Sequence, residues 1–204
     1  MDKTIETGLG AIHAHVEGSG PAIILVHGYH PENTWRVWEN NLAALAEMGF
    51  AVYALDLIGY GQSGGQQLDH TQQAQAILDL MDSEQLDTAI LGGVSWGGLV
   101  ALELALQAPE RVSGLILVDS AGAGSIPEEE LETIDCPTLV VWGEDDSVIP
   151  LANAAWFGAA IPTAQVETIP DVTAQEGVPE WGGHHPMRFK PAEFNQIVRR
   201  FLAA

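Results

Sequence analysis

The chain predicts an α/β fold: an eight-stranded, mostly parallel sheet with helices on both faces. Three observations carry that expectation. Short apolar runs stand without polar interruption, stretches of helical period separate them, and Gly and Pro punctuate the joints. An apolar run such as Ala22–Val26 (AIILV) marks a strand covered on both sides. Strands of this kind separated by helices pack as a parallel sheet with right-handed crossovers. In such sheets the chemistry lies outside the carboxyl ends of the strands.

The elements follow in order. Thr4–Thr7 and Ala11–Glu17 read as a hairpin about the turn Gly8-Leu9-Gly10, with alternating apolar and polar residues in the second arm. Gly18-Ser19-Gly20-Pro21 turns the chain into the strand Ala22–Val26. Trp35–Met48 has a helical period and ends at Gly49, a natural C-cap. Ala51–Leu55 is the next buried strand, followed by an amphipathic helix over Thr71–Met81. Ala89–Gly92 precedes a helix over Trp96–Gln107, which Pro109 stops, and Leu115–Val118 is another strand. Thr138–Trp142, a helix over Asn153–Ala160, the strand Val166–Ile169 and a terminal helix over Pro191–Leu202 complete the series.

The whole chain sets bounds on function. At 204 residues it reads as one domain spanning residues 1–204, large enough to be stable without a disulfide or metal staple. The single cysteine, Cys136, reads as a structural thiol. Met1–Thr7 is charged with no apolar core behind it, and no stretch approaches the roughly 20 apolar residues of a membrane span. The reading is a cytoplasmic protein, with export by another route left open. Asp and Glu outnumber Lys and Arg by 28 to 7, for a net charge of −21. Such a surface repels nucleic acid and anionic membranes, so neither is expected as a partner. The seven histidines lie scattered with no metal-ligand spacing, so neither metal nor cofactor is expected.

The strongest local signal is Gly93-Val94-Ser95-Trp96-Gly97, a G-x-S-x-G set between an apolar strand and a helix. Its turn is so tight that a Cβ two residues either side of Ser95 would clash. The turn would lift the serine hydroxyl clear of the sheet beside a helix N-terminus, which favours negative charge. A serine needs a base, and the base needs an orienting acid.

With His27-Gly28-Tyr29 after the strand Ala22–Val26, the chain resembles the α/β-hydrolase family. The resemblance continues through Asp56-Leu57-Ile58-Gly59-Tyr60-Gly61-Gln62-Ser63 and ends with Gly183-His184-His185-Pro186. Four motifs in the family's order cover nearly the whole chain. The resemblance implies Ser95 as nucleophile, His184 as base and, from G-x-x-D spacing in Gly143-Glu144-Asp145-Asp146, Asp146 as acid. Asp145 and Asp119 are the weaker acid candidates, and His185 the weaker base. Backbone N–H groups of Tyr29 and Trp96 would form the oxyanion hole. His27 and the Asp56 loop are read as structural, and His30 as a residue at the pocket rim.

Two departures from the family bear on substrate. Only 16 residues separate Asp119 from Cys136, where most relatives insert a helical cap, so one short helix and no lid is expected there. The 14 residues from Pro170 to Gly183 are more than the family usually needs before its histidine, and Trp181 among them is expected to wall the site. The predicted activity is hydrolysis of small carboxylic esters through an acyl-enzyme, with a small-molecule ester as partner. A hydrolase-fold binding protein or receptor with slow turnover is the rival reading. Lactonase, thioesterase and polyester depolymerase activities would need the same residues.

Overall fold

The computed structural model describes residues 1–203. Eight strands form one sheet in the order β1-β2-β4-β3-β5-β6-β7-β8. They are β1 (Asp2–Thr7), β2 (Gly10–Gly18), β3 (Ala22–Val26), β4 (Ala51–Asp56), β5 (Ala89–Val94), β6 (Val112–Val118), β7 (Thr138–Gly143) and β8 (Ala164–Ile169). β1 and β2 pair antiparallel, as do β2 and β4, and every later pairing is parallel. The apolar runs explain this: β3 and β7 are buried at every position, as strands covered on both faces must be.

The helices divide between the faces. On one face, α2 (His70–Ser83), α3 (Trp96–Gln107) and α5 (Ala152–Ala160) cover the core that holds Ile24, Leu55, Leu91, Leu117 and Val140. On the other, α1 (Leu42–Glu47) and α7 (Pro191–Leu202) cover Ile23, Leu25, Val52, Ile116 and Val141. The period of two along each strand sends neighbours to opposite cores. Two short helices remain, α4 (Glu128–Leu131) between β6 and β7, and α6 (Pro186–Phe189) before α7. α4 is the whole helical content of the β6–β7 connection, so the fold carries no cap domain. Among the described residues no helix is long and apolar enough to cross a membrane.

Most expected elements differ from the observed ones only by a few terminal residues. The helix expected over Trp35–Met48 is instead two pieces, a 3-10 helix at Trp35–Trp38 and then α1. The break has a tertiary cause. Asn41 Nδ2 donates to Met187 O at 3.0 Å and to Asn195 Oδ1 at 2.9 Å, and Trp35 N donates to Asp56 Oδ1 at 2.7 Å. These bonds to distant segments outweigh the local period. β3 and β5 lie side by side where the strand order reverses, so their carboxyl ends open into the crevice of the sheet.

Candidate active site

Ser95 stands between β5 and α3 with φ 56° and ψ −122°, a strained conformation for a non-glycine residue. The turn is pinned: Ser95 N donates to Val118 O at 2.9 Å, and Ser95 O accepts from Gly98 N and Ala121 N at 3.0 and 2.9 Å. The flanking glycines are required by contact. A Cβ on Gly93 would meet Gly97 O at 2.2 Å, and one on Gly97 would meet Val26 O and His27 O at 2.5 Å. The crossing brings the β3 terminus, with Gly28 and Tyr29, against the start of α3.

A second close approach assembles the other half. A Cβ on Gly143 would meet Gly183 O at 2.0 Å, so the end of β7 and the residue before His184 touch backbone to backbone. His184 Nδ1 and Asp146 Oδ2 are consequently 2.8 Å apart. Asp146 Oδ1 accepts from Val148 N at 2.7 Å and Ile149 N at 3.1 Å. Burial alone would push the Asp146 carboxyl up, but its hydrogen bonds to His184, Val148 and Ile149 and the nearby imidazole hold it below the usual carboxylate value. An ionised Asp146 fixes the Nδ1–H tautomer of His184 and leaves Nε2 as the free nitrogen.

Ser95 and His184 face the same cavity of about 660 Å³. Gly28 and Tyr29 border it on the β3 side, with His30 beside them. Trp181, His185 and Arg188 border it opposite. Tyr29 is 64% exposed and its ring meets that of Trp96 edge-on at 5.6 Å, so the phenol stands at the mouth rather than in the core. The Trp96 N–H opens α3, where the first amides of a helix lack internal partners. His185 is pushed down to about 3, first by burial and then by the charges of His184 and Arg188, so at neutral pH it is uncharged.

The comparisons with known proteins point to one family. The model of the α/β hydrolase fold matches residues 21–136, more than half of the sequence. The chain belongs to the α/β-hydrolase-fold family. An uncharacterized protein of Mycobacterium tuberculosis is 26% identical to this α/β hydrolase, over 92% of this chain and 76% of that one. A pimeloyl-(acyl-carrier protein) methyl ester esterase of Vibrio campbellii is 37% identical over 54% of this chain and 41% of the esterase. A crystal structure of a predicted CIB-like hydrolase from Thermoplasma acidophilum superposes with a TM-score of 0.85 at 25% identity, over 99% of this chain and 97% of that one. At 21% identity, the 2-hydroxy-6-oxo-6-phenylhexa-2,4-dienoate hydrolase of a Rhodococcus strain shares the fold with a TM-score of 0.87.

Three other candidates of this α/β hydrolase, His27, Asp145 and Asp119, do not line the cavity. His27 is fully buried; its Nδ1 lies 2.9 Å from Gly28 O, and its Nε2 accepts from Leu57 N at 3.1 Å. Burial holds its imidazole below the usual value, so it braces the Gly28 turn as a neutral ring. Asp145, one of the weaker acid candidates, turns away from His184: its carboxylate accepts from Thr173 N at 2.7 Å and from the Thr173 hydroxyl. That contact ties the 170–183 segment to the end of β7. Asp119, one of the weaker acid candidates, ends β6 with its carboxyl fully buried next to Asp146 and His184. Each of the three places one oxygen or nitrogen within 4.8 Å of the others, the spacing that could gather a cation, although His184 Nδ1 is already engaged by Asp146. The only signal for Asp119 in the sequence was its place at the end of an apolar strand.

Proposed function

We propose that this protein is a serine hydrolase that cleaves small carboxylic esters through an acyl-enzyme. The observation that carries the reading is the Asp146–His184 hydrogen bond of 2.8 Å at the rim of the cavity that Ser95 also lines. Ser95 Oγ attacks the ester carbonyl while His184 Nε2 takes its proton. Asp146 holds the imidazole and stabilises the imidazolium as it forms. The oxyanion accepts hydrogen bonds from the Tyr29 and Trp96 amides, each donor being worth about 10²–10³ in rate. The alcohol leaves with the proton held on His184. Water, deprotonated in turn by His184, then releases the acid and restores Ser95. The methyl ester esterase among the relatives supports an ester as substrate, and the short β6–β7 connection favours small acyl groups.

The test is hydrolysis of p-nitrophenyl acetate by wild type and Ser95→Ala. The substitution is expected to lower kcat by about 10⁶ while circular dichroism and Tm hold. A variant that retains a tenth of the activity removes Ser95 from the mechanism. A single burst without turnover by wild type favours the slow-turnover receptor.

A further inference from the structure

Asp119 takes no part in the steps above, yet its carboxyl is 0% exposed at the end of β6. The backbone there has φ +43°, which non-glycine residues rarely hold, and Asp119 N donates to Val141 O at 3.0 Å. Its Oδ1 accepts from Gly143 N at 2.9 Å, on the strand end that leads to Asp146. Its Oδ2 is buried and has no donor facing it. The groups around it are Asp145 and Asp146 from the loop after β7 and His184 from the 3-10 helix Glu180–His184. Among the described residues no lysine, arginine or histidine nitrogen lies within 4.0 Å of it.

An ionised Asp119 would leave a bare, buried oxygen beside a second carboxylate. A protonated one turns Oδ2 into a donor, and Asp146 is the acceptor within reach. We propose that Asp119 is held as a neutral carboxylic acid whose proton points at Asp146, making it the positioning residue of the Asp146–His184 pair. Burial, and next the charge of Asp146, push the Asp119 carboxyl well above the usual range, in keeping with that state. Asp119 then fixes Asp146 through a contact separate from the Asp146–His184 bond, with the Gly143 amide fixing Asp119 in turn. The inference rests on the proposed roles of Asp146 and His184, but its primary readout needs no turnover.

The experiment follows the His184 imidazole by NMR titration in wild type, Asp119→Asn and Asp119→Leu, beside the pH profile of kcat/KM. Asparagine copies the neutral acid, accepting from Gly143 and donating to Asp146, so the His184 midpoint and kcat should stay close to wild type. Leucine removes the donor. It should raise the midpoint, because Asp146 becomes more basic, and lower kcat by about 10- to 100-fold with KM nearly constant. If both variants lower the midpoint by about one unit or more, Asp119 carried a negative charge and the proposal is overturned. If neither moves it, Asp119 is only structural and the proposal is equally overturned.

Should the leucine variant not fold, infrared difference spectra of ¹³C-aspartate protein decide. A neutral-carboxyl band should be present in wild type, absent from Asp119→Asn and shifted in Asp146→Asn. A missing or unmoved band overturns the assignment. Failure of wild type to hydrolyse any ester sinks the proposed function instead, and leaves these two readouts standing.

Discussion

Among the described residues, two buried histidine–aspartate pairs have nearly the same geometry, whereas a third, His15 with Asp2, lies at the surface. His13 Nδ1 and Asp56 Oδ2 are 3.0 Å apart, and His184 Nδ1 and Asp146 Oδ2 are 2.8 Å apart. Both carboxylates also accept backbone amides: Asp56 from Trp35 and Gln62, Asp146 from Val148 and Ile149. The difference lies at the far nitrogen. His13 Nε2 is met by Gln62 Nε2 at 3.1 Å, with Asp2 Oδ1 at 3.6 Å, so the ring is closed off at the antiparallel edge of the sheet. His184 instead borders the cavity that holds Ser95. A histidine–aspartate pair is therefore no sign of chemistry by itself. What distinguishes the two is that His184 borders the cavity lined by Ser95, the serine proposed as nucleophile.

Removing each acid should separate the pairs. Asp146→Asn is expected to lower kcat on p-nitrophenyl acetate by about 10⁴, or about 5.5 kcal/mol of transition-state stabilisation, with little change in Tm. Asp56→Ala should do the reverse. It strips the partner from a buried histidine and the acceptor from two amides, costing about 3–5 kcal/mol of stability in urea denaturation. Its kcat, measured on the folded fraction, should stay near wild type. A large drop in kcat from Asp56→Ala with stability intact would mean that the two pairs are coupled.

A smaller effect is expected at Asp145, the neighbour of Asp146 in sequence. Its carboxylate holds Thr173, so Asp145→Asn should cost roughly 1–2 kcal/mol of stability and about tenfold in kcat at most. A loss matching that of Asp146→Asn would reverse the assignment of the acid.

The same contrast explains what could be read from the sequence. β3 and α3 have their expected bounds, because an uninterrupted apolar run and a run closed by Pro109 are local signals. The Ser95 turn is equally local, its glycines being required by contacts within five residues and with the adjacent β3 terminus. The pairing of His13 with Asp56 was not legible, since they lie 43 positions apart and neither carries a periodic mark. The split of the helix after Trp35 escaped for the same reason, being caused by Asn41 bonds to residues 146 and 154 positions away. The tie between Asp145 and Thr173, and the burial of Asp119, likewise depend on how β6, β7 and the 170–183 segment meet.

The smallest effect, and the one that tests the shape of the cavity, concerns the two walls around Ser95. The β6–β7 side offers one four-residue helix, whereas the segment before His184 is anchored. Val172 is fully buried, Gln175 Nε2 donates to Phe189 O at 2.9 Å, and the Trp181 ring meets His185 and Phe189 edge-on at 5.4 and 5.6 Å. Trp181 nevertheless remains 45% exposed, so it forms a partial wall that leaves the far side open. A buried CH₂ contributes about 0.8 kcal/mol, nearly fourfold in kcat/KM, where a surface exists to receive it. Six added methylenes from acetate to octanoate would give a closed tunnel a gain on the order of 10³ or more by the same measure. With one wall, kcat/KM should peak at acyl chains of about two to four carbons and then stay flat or fall, with no activation at a lipid interface. Trp181→Ala should lower the butyrate rate by a few-fold and leave acetate nearly unchanged, since only the longer chain reaches the indole. A steep climb to octanoate that Trp181→Ala abolishes would make the 170–183 segment a working lid and close the cavity described as open.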